Sequence, residues 1–134
     1  VSYRFGRTSR KNLSTADGRL QELAHIVLKI KDHSVVKGHR NQREQHTAFI
    51  DGNSELDWPN GKHNALPSLA IDVQTYPLPD TNQELREEQL YLLGLYKGVA
   101  YMQDIPVRSG SDWDRDGEIA DNSFDDFYHV ELDL

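Results

Sequence analysis

Hydrophobic positions along this chain fall into a few periodic runs, separated by polar stretches that carry glycine and proline. Over 12–31, Leu20, Leu23, Ala24, Val27 and Ile30 recur three and four residues apart, which is one face of an amphipathic helix, with Ser14 or Thr15 placed to cap it. Ser34-Val35-Val36-Lys37-Gly38 reads as a short strand. Asn41 followed by Glu44 has the capping-box pattern and predicts a second helix that ends near Gly52. Residues 53–67, with glycine, asparagine and two prolines, read as a loop. Leu69, Ile71 and Val73 then alternate with Ala70 and Asp72, giving a strand with one apolar face. The longest helical pattern covers 81–103, where Leu85, Leu92, Leu93, Tyr96, Val99 and Ala100 form the stripe, while Gly94 and Gly98 lower intrinsic helix stability. Ile105-Pro106-Val107-Arg108 starts another extended piece, and beyond an acidic loop Tyr128, Val130 and Leu132 alternate in a final strand. Helices and strands in short succession, without a regular βαβ repeat, predict an α+β fold.

Composition narrows the function classes. A length of 134 residues predicts a single domain, 1–134, able to bury a core without staples. There is no cysteine, so any metal site must use histidine and carboxylate. The net charge of -7, from 15 basic and 22 acidic residues, argues against nucleic-acid binding. No apolar run approaches the ~18 residues of a membrane helix, so stable membrane association is not expected. The opening Val1-Ser2-Tyr3-Arg4-Phe5-Gly6 lacks the apolar stretch of a secretory signal, which predicts synthesis in the cytoplasm without a signal peptide. A monomer is expected.

The candidate chemistry lies in two segments, Lys62-His63-Asn64 through Asp72, and Asp126-Phe127-Tyr128-His129-Val130-Glu131-Leu132. His63, Asp72 and His129 offer three N/O ligands, and Asp126 is a spare carboxylate nearby; a hydrolytic zinc site needs such a set, with one position left open. Strand phase supports the grouping. Asp72 faces away from Leu69, Ile71 and Val73, and His129 shares a face with Glu131, opposite Tyr128, Val130 and Leu132. Asp126, three residues before His129, would face the wrong way in a straight strand, so a turn or bulge at Phe127 must swing it back if it is the base. Glu131 is at most an orienting partner for His129. A lone histidine is more often a surface residue than a ligand, and His25, His33, His39 and His46 are read as surface. The acidic loop matches the start of a calcium loop, with Asp112, Asp114 and Asp116 at positions 1, 3 and 5 and Gly117 at position 6. Position 12 is Ser123 instead of Glu, and Asp121 or Asn122 would have to supply the missing oxygen. The plain alternative is a solvated acidic turn. If Ca2+ binds there, it could order the strand that carries Asp126 and His129.

An ordered set of motifs spans almost the whole chain: Phe5-Gly6-Arg7-Thr8-Ser9, Gly38-His39-Arg40, Glu44-Gln45, Trp58-Pro59-Asn60, Lys62-His63-Asn64, Pro67-Ser68, Ala70-Ile71-Asp72-Val73, Tyr76-Pro77, Gly110, Asp112-Trp113-Asp114, Asp116-Gly117 and the 126–132 segment. This set resembles the peptidoglycan peptidases that include the vancomycin-resistance D-Ala-D-Ala peptidases, and in particular the bacteriophage L-alanyl-D-glutamate endopeptidases. The resemblance implies a small antiparallel sheet flanked by helices, shared with the hedgehog signalling domain. It implies Zn2+ held by His63, Asp72 and His129, Asp126 as the catalytic carboxylate, and Arg40 as the group that polarises the scissile carbonyl; without it, Arg40 reads equally as half of a structural ion pair. Gly61 departs from a substrate-contacting serine common in the family, and Leu66-Pro67-Ser68 belongs to a longer His-to-Asp loop found in a subset of phage enzymes. The expected function is that of a zinc endopeptidase, an endolysin, cutting the L-Ala–D-Glu bond of the peptidoglycan stem peptide after release to the bacterial cell wall. One alternative is a D,D-carboxypeptidase or dipeptidase of the same metal chemistry, which needs a group for a free C-terminal carboxylate. The other is a non-catalytic zinc-stabilised binding domain, which would require neither Asp126 nor Arg40.

Overall fold

The computed structural model describes residues 2–112, 117 and 126–134. In chain order these form α1 (Arg7–Ser14), α2 (Gly18–Leu28), β1 (His33–Lys37), α3 (Gln42–Ile50), a 3-10 turn (Lys62–Asn64), β2 (Ala70–Thr75), α4 (Asn82–Met102), β3 (Val107–Ser109) and β4 (His129–Leu132). The strands make one sheet in the order β1-β2-β4-β3, with every pairing antiparallel. This is the α+β arrangement expected from the sequence.

Local signals account for several elements. Both capping-box bonds at the start of α3 are present: the Glu44 amide donates to Asn41 Oδ1 (2.9 Å) and the Asn41 amide to Glu44 Oε1 (3.0 Å). Thr81 caps α4 through the Glu84 amide at 3.1 Å. The single helix expected over 12–31 is instead two. Thr15 does not start a helix; its hydroxyl donates to Asn12 O (2.7 Å) and accepts the His39 amide (2.8 Å), so it closes α1. Asp17 is the cap of α2, accepting the Arg19 amide at 2.9 Å. Between the helices Ser68 inserts, donating its amide to Thr15 O and accepting that of Asp17, both at 2.8 Å. α1 escaped the pattern because only Ser9 and Leu13 of it are buried, and Ile30 falls beyond α2 and is exposed.

The core lies on one face of the sheet. Leu20, Leu23, Ala24 and Val27 from α2 and Leu92, Leu93, Tyr96 and Ala100 from α4 pack with Val35, Ile71, Val73, Val130 and Leu132. Leu85 and Val99 are only half-buried. Each fully buried large aliphatic side chain contributes about 1.5–3 kcal/mol, which fixes the faces of β2 and β4. By their period of two, Asp72, His129 and Glu131 turn to the opposite face.

His33 corrects one expectation. It is buried, not on the surface, because both ring nitrogens find partners: Nδ1 donates to Lys31 O (2.9 Å) and Nε2 accepts from Tyr96 Oη (2.7 Å). Phe5 packs edge-on against the ring. Burial pushes its pKa down to about 4, with Lys31 adding to the fall while the Lys31 carbonyl and the charge of Asp32 oppose it. The unfolded chain therefore binds the proton first as pH falls. Stability present above about pH 6.5 is lost progressively toward pH 4, on the order of 3 kcal/mol from this residue. Denaturant titrations of wild type and His33→Gln between pH 7 and 4 should show a smaller acid loss in the variant; equal losses would assign the acid sensitivity elsewhere.

Candidate metal centre

The sheet register sets the centre. Asp72 on β2 stands directly opposite His129 on β4, so their Cβ atoms are neighbours on one face, ~5 Å apart. His63 comes in from the 3-10 turn, whose Lys62 carbonyl accepts the Leu69 amide (3.0 Å) and whose His63 carbonyl accepts the Arg40 amide (2.8 Å). His63 Nδ1 donates to Gly38 O at 2.7 Å, which turns the Nε2 lone pair inward. Only glycine fits at 38, because a Cβ there would overlap Asn12 O and Thr15 Oγ1; that close approach brings the Gly38 carbonyl against His63. On the other side, His129 Nε2 donates to Glu131 Oε1 (2.9 Å), and Glu131 Oε2 accepts from Arg108 Nη2 (3.1 Å). The His129 Nδ1 lone pair therefore also faces inward.

The three inward atoms form a nearly equilateral triangle. His63 Nε2 is 3.2 Å from Asp72 Oδ1 and 3.3 Å from His129 Nδ1, and His129 Nδ1 is 3.4 Å from Asp72 Oδ1. A tetrahedral ion with bonds of ~2.0–2.1 Å keeps its ligands about 3.3–3.4 Å apart. The residues thus fit a metal ion: three ligand atoms at tetrahedral spacing, one neutral lone pair from each imidazole, and a carboxylate. Among the described residues this is the group able to hold a metal.

Charge around the triangle is strongly coupled. Burial would raise the Asp72 carboxyl, yet the charge of His63 and bonds from His129 and His63 hold it well below the usual carboxylate range. Burial would lower His129, but Asp72 and Glu131 push it up to about 9, so they favour a positive charge at Nδ1; a metal ion bound there would take the place of that proton and leave the neutral ring as ligand. Arg40 leans over Asp72, with Nη2 3.5 Å from Oδ2. It is bracketed from behind by Gln45, whose Oε1 accepts from Arg40 Nη1 and Asn64 Nδ2, both at 3.1 Å. Asn64 Nδ2 also donates to Arg40 O (3.2 Å), so the backbone and the guanidinium of Arg40 are tied to the same turn that carries His63. Phe127 and Tyr128 form a turn, of the kind a catalytic role for Asp126 would need, and Asp126 Oδ1 accepts the Tyr128 amide at 3.0 Å. Burial and the negative charge of Asp72 push its carboxyl above the usual range, against the pull of His129, the Tyr128 amide and His63.

The whole chain can be compared with known proteins. The family model of the phage L-alanyl-D-glutamate peptidases matches residues 1–133. The chain belongs to this family. The L-alanyl-D-glutamate peptidase of Escherichia phage T5 is 27% identical over 137 residues, spanning 98% of this chain and 99% of that protein. The fold is shared with the crystal structure of the Serratia marcescens L-Ala D-Glu endopeptidase ChiX, at a TM-score of 0.74 and 20% identity, covering 96% of this chain and 90% of that one.

In this phage peptidase family member, His63, Asp72 and His129 meet as the sequence indicated, with Arg40 beside Asp72 and Asp126 held within the electrostatic reach of the cluster. Glu131 takes the orienting position expected of it. Asp114 and Asp116 of the candidate calcium loop lie outside the described residues. Asp112 is buried, and its Oδ2 accepts from Lys97 Nζ (2.8 Å) and the Gly117 amide (3.0 Å). Sequence reasoning missed Gln45, Asn64 and Arg108. Gln45 and Asn64 had one usable signal, their places in the Glu44-Gln45 and Lys62-His63-Asn64 motifs, but no role was read for them there; in the structure Gln45 is the buried residue of α3. Among the described residues, no helix is long and apolar enough to cross a membrane.

Proposed function

We propose that this chain is a zinc endopeptidase that hydrolyses the L-Ala–D-Glu bond of the peptidoglycan stem peptide, acting as a phage endolysin on the bacterial wall. The observation that carries the reading is the His63–Asp72–His129 triangle, at tetrahedral spacing beside Asp126, in a chain matched by the family over 1–133. Two imidazoles and one carboxylate at these separations favour zinc over the harder, oxygen-seeking divalent ions. When bound, the ion supplies a Lewis acid that polarises a carbonyl and lowers the pKa of water to about 7. Asp126 accepts the proton of the attacking water and passes it to the leaving amine of D-Glu, and its raised pKa suits both halves of that task. Arg40 offers its remaining N–H donors to the developing oxyanion, held on station by Gln45 and Asn64. Glu131 and Arg108 keep the His129 ring in one tautomer and orientation.

Digestion of purified peptidoglycan followed by mass spectrometry tests the bond. The expected products are peptides beginning with D-Glu and new L-Ala C-termini on the muramyl side, with glycan strands intact. Free D-Ala as the sole product would support the D,D-carboxypeptidase reading. New reducing sugar ends would contradict a peptidase, and a zinc-loaded, folded protein that releases nothing would support the non-catalytic binding domain.

A further inference from the structure

We propose that Gln89 and Gly110, neither of which is part of the metal centre, are positioning residues that fix the 126–128 turn and with it the Asp126 carboxylate. The proposal rests on the reading of Asp126 as the general base.

Among the described residues, the edge of β2 that faces β4 has no strand partner beyond Tyr128, where residues 127 and 128 form a turn. The last strand-like bond there runs from the Val73 amide to Tyr128 O, at 2.8 Å. Beyond it, Val73 O and the Thr75 amide point toward the same edge. Gln89 on α4 takes both: its Nε2 donates to Val73 O (3.0 Å) and its Oε1 accepts the Thr75 amide (2.6 Å). Gln89 is 1% exposed, and its amide makes the bonds that a neighbouring strand residue would make. Its second N–H reaches Phe127 O at 3.0 Å. One amide thus bridges the strand that carries Asp72 and the residue that follows Asp126. A buried carbonyl without a donor costs free energy, so Gln89 selects the turn geometry that presents Phe127 O to it. Arg86, one turn earlier on α4, lies over the Phe127 ring at 4.8 Å from its centroid and covers the same residue from outside.

Gly110 holds the turn from the opposite side. Its carbonyl accepts the Asp126 amide and its amide donates to His129 O, both at 2.9 Å. The two backbones touch: a Cβ at position 110 would overlap the Asp126 carbonyl oxygen and stand 2.8 Å from both its carbonyl carbon and its Cβ. These atoms are backbone and the root of the side chain, and cannot rotate aside. A larger residue at 110 must move Asp126 itself.

Displacing a reacting group by about 1 Å costs on the order of 10²-fold in rate. Gln89→Met, which keeps length and volume but removes all three bonds, and Gly110→Ala should each lower kcat by roughly 10- to 100-fold. KM and zinc affinity should stay within about twofold, and the cobalt-substituted proteins should keep the wild-type visible spectrum, because the bonds described for both residues run to backbone groups and not to the ligand side chains. Should Gln89→Met fail to fold, Gln89→Glu keeps the acceptor for Thr75 and sets a carboxylate oxygen against Phe127 O, with the same expected loss. The decisive measurement is a double-mutant cycle with Asp126→Asn: in that background the Gln89 and Gly110 substitutions should lower the residual rate no further. Unchanged kcat in the folded single variants overturns the proposal, as does a fall in kcat that is fully additive with Asp126→Asn or matched by lost zinc. If Asp126→Asn alone retains wild-type turnover, the reading of Asp126 falls and the proposal with it; if it loses turnover while the Gln89 and Gly110 variants do not, only the positioning proposal falls.

Discussion

Asp126→Asn should lower kcat by about 10²–10⁴-fold while zinc remains bound. The amide preserves the shape and can still accept the Tyr128 amide through its oxygen, so the turn that brings residue 126 to the cleft should survive. Only the ability to take and return a proton is removed. The ligand atoms lie on His63, Asp72 and His129, so zinc stoichiometry measured by elemental analysis should stay at one per chain. KM should change little, because the carboxylate acts on water and the leaving amine more than on the bound peptide. The burial that raises the Asp126 pKa also makes asparagine easy to accommodate, since a neutral group replaces a desolvated charge. Near-native turnover at saturating zinc would remove Asp126 as the base and leave Glu131 as the next carboxylate to examine.

Removal of the ion should be at least as damaging. Chelation of wild type is expected to reduce activity by on the order of 10³-fold or more, since the ion supplies several kcal/mol of charge stabilisation and each ~1.4 kcal/mol is a decade in rate. Added zinc should restore wild type and should fail to restore His63→Ala. The choice of His63 matters. It is the ligand that comes from outside the sheet, and its Nδ1 bond to Gly38 O is the tie that orients it. Asp72 and His129 are strand neighbours whose loss would disturb the β2–β4 register as well. His63→Ala therefore separates metal binding from the folding of the sheet more cleanly than a change at either strand ligand. Full activity in a verified metal-free preparation, or in His63→Ala, would end the zinc reading.

What could be read in advance follows from how local each feature is. Asn41 and Glu44 satisfy each other within one turn, so the start of α3 was written in four consecutive residues. Asp72 and His129 were legible because each interrupts an apolar alternation whose other members are fixed in the core. A role for Asp126 as base would need a turn at Phe127, and residues 127 and 128 form one. His33 was misread because its burial depends on Tyr96, which is remote in the chain and near only after α4 folds over the sheet. The break between α1 and α2 was invisible for a similar reason: Ser68 creates it by inserting between Thr15 and Asp17. Gln89 sits on the core side of α4 among leucines, where a pattern of apolar spacing simply skips it. Polar residues that serve a distant backbone leave no periodic trace.

The sheet order has a further consequence. β3 precedes β4 in the chain, yet β4 lies between β3 and β2. A polypeptide emerging from the ribosome makes β1, β2 and β3 first; β1 and β2 can pair with each other at once, but β3 cannot join them until β4 arrives between. His129 travels on that central strand. If zinc is held as proposed, His63 and Asp72 alone would give a two-ligand site that binds it far more weakly than three ligands do, and metal capture and completion of the sheet would become one event. Long-range closure of this kind is entropically slow. An ion that bound only the closed state would favour that state by mass action. On the proposed reading, a newly made chain would gain hydrolytic competence only with the insertion of one short strand.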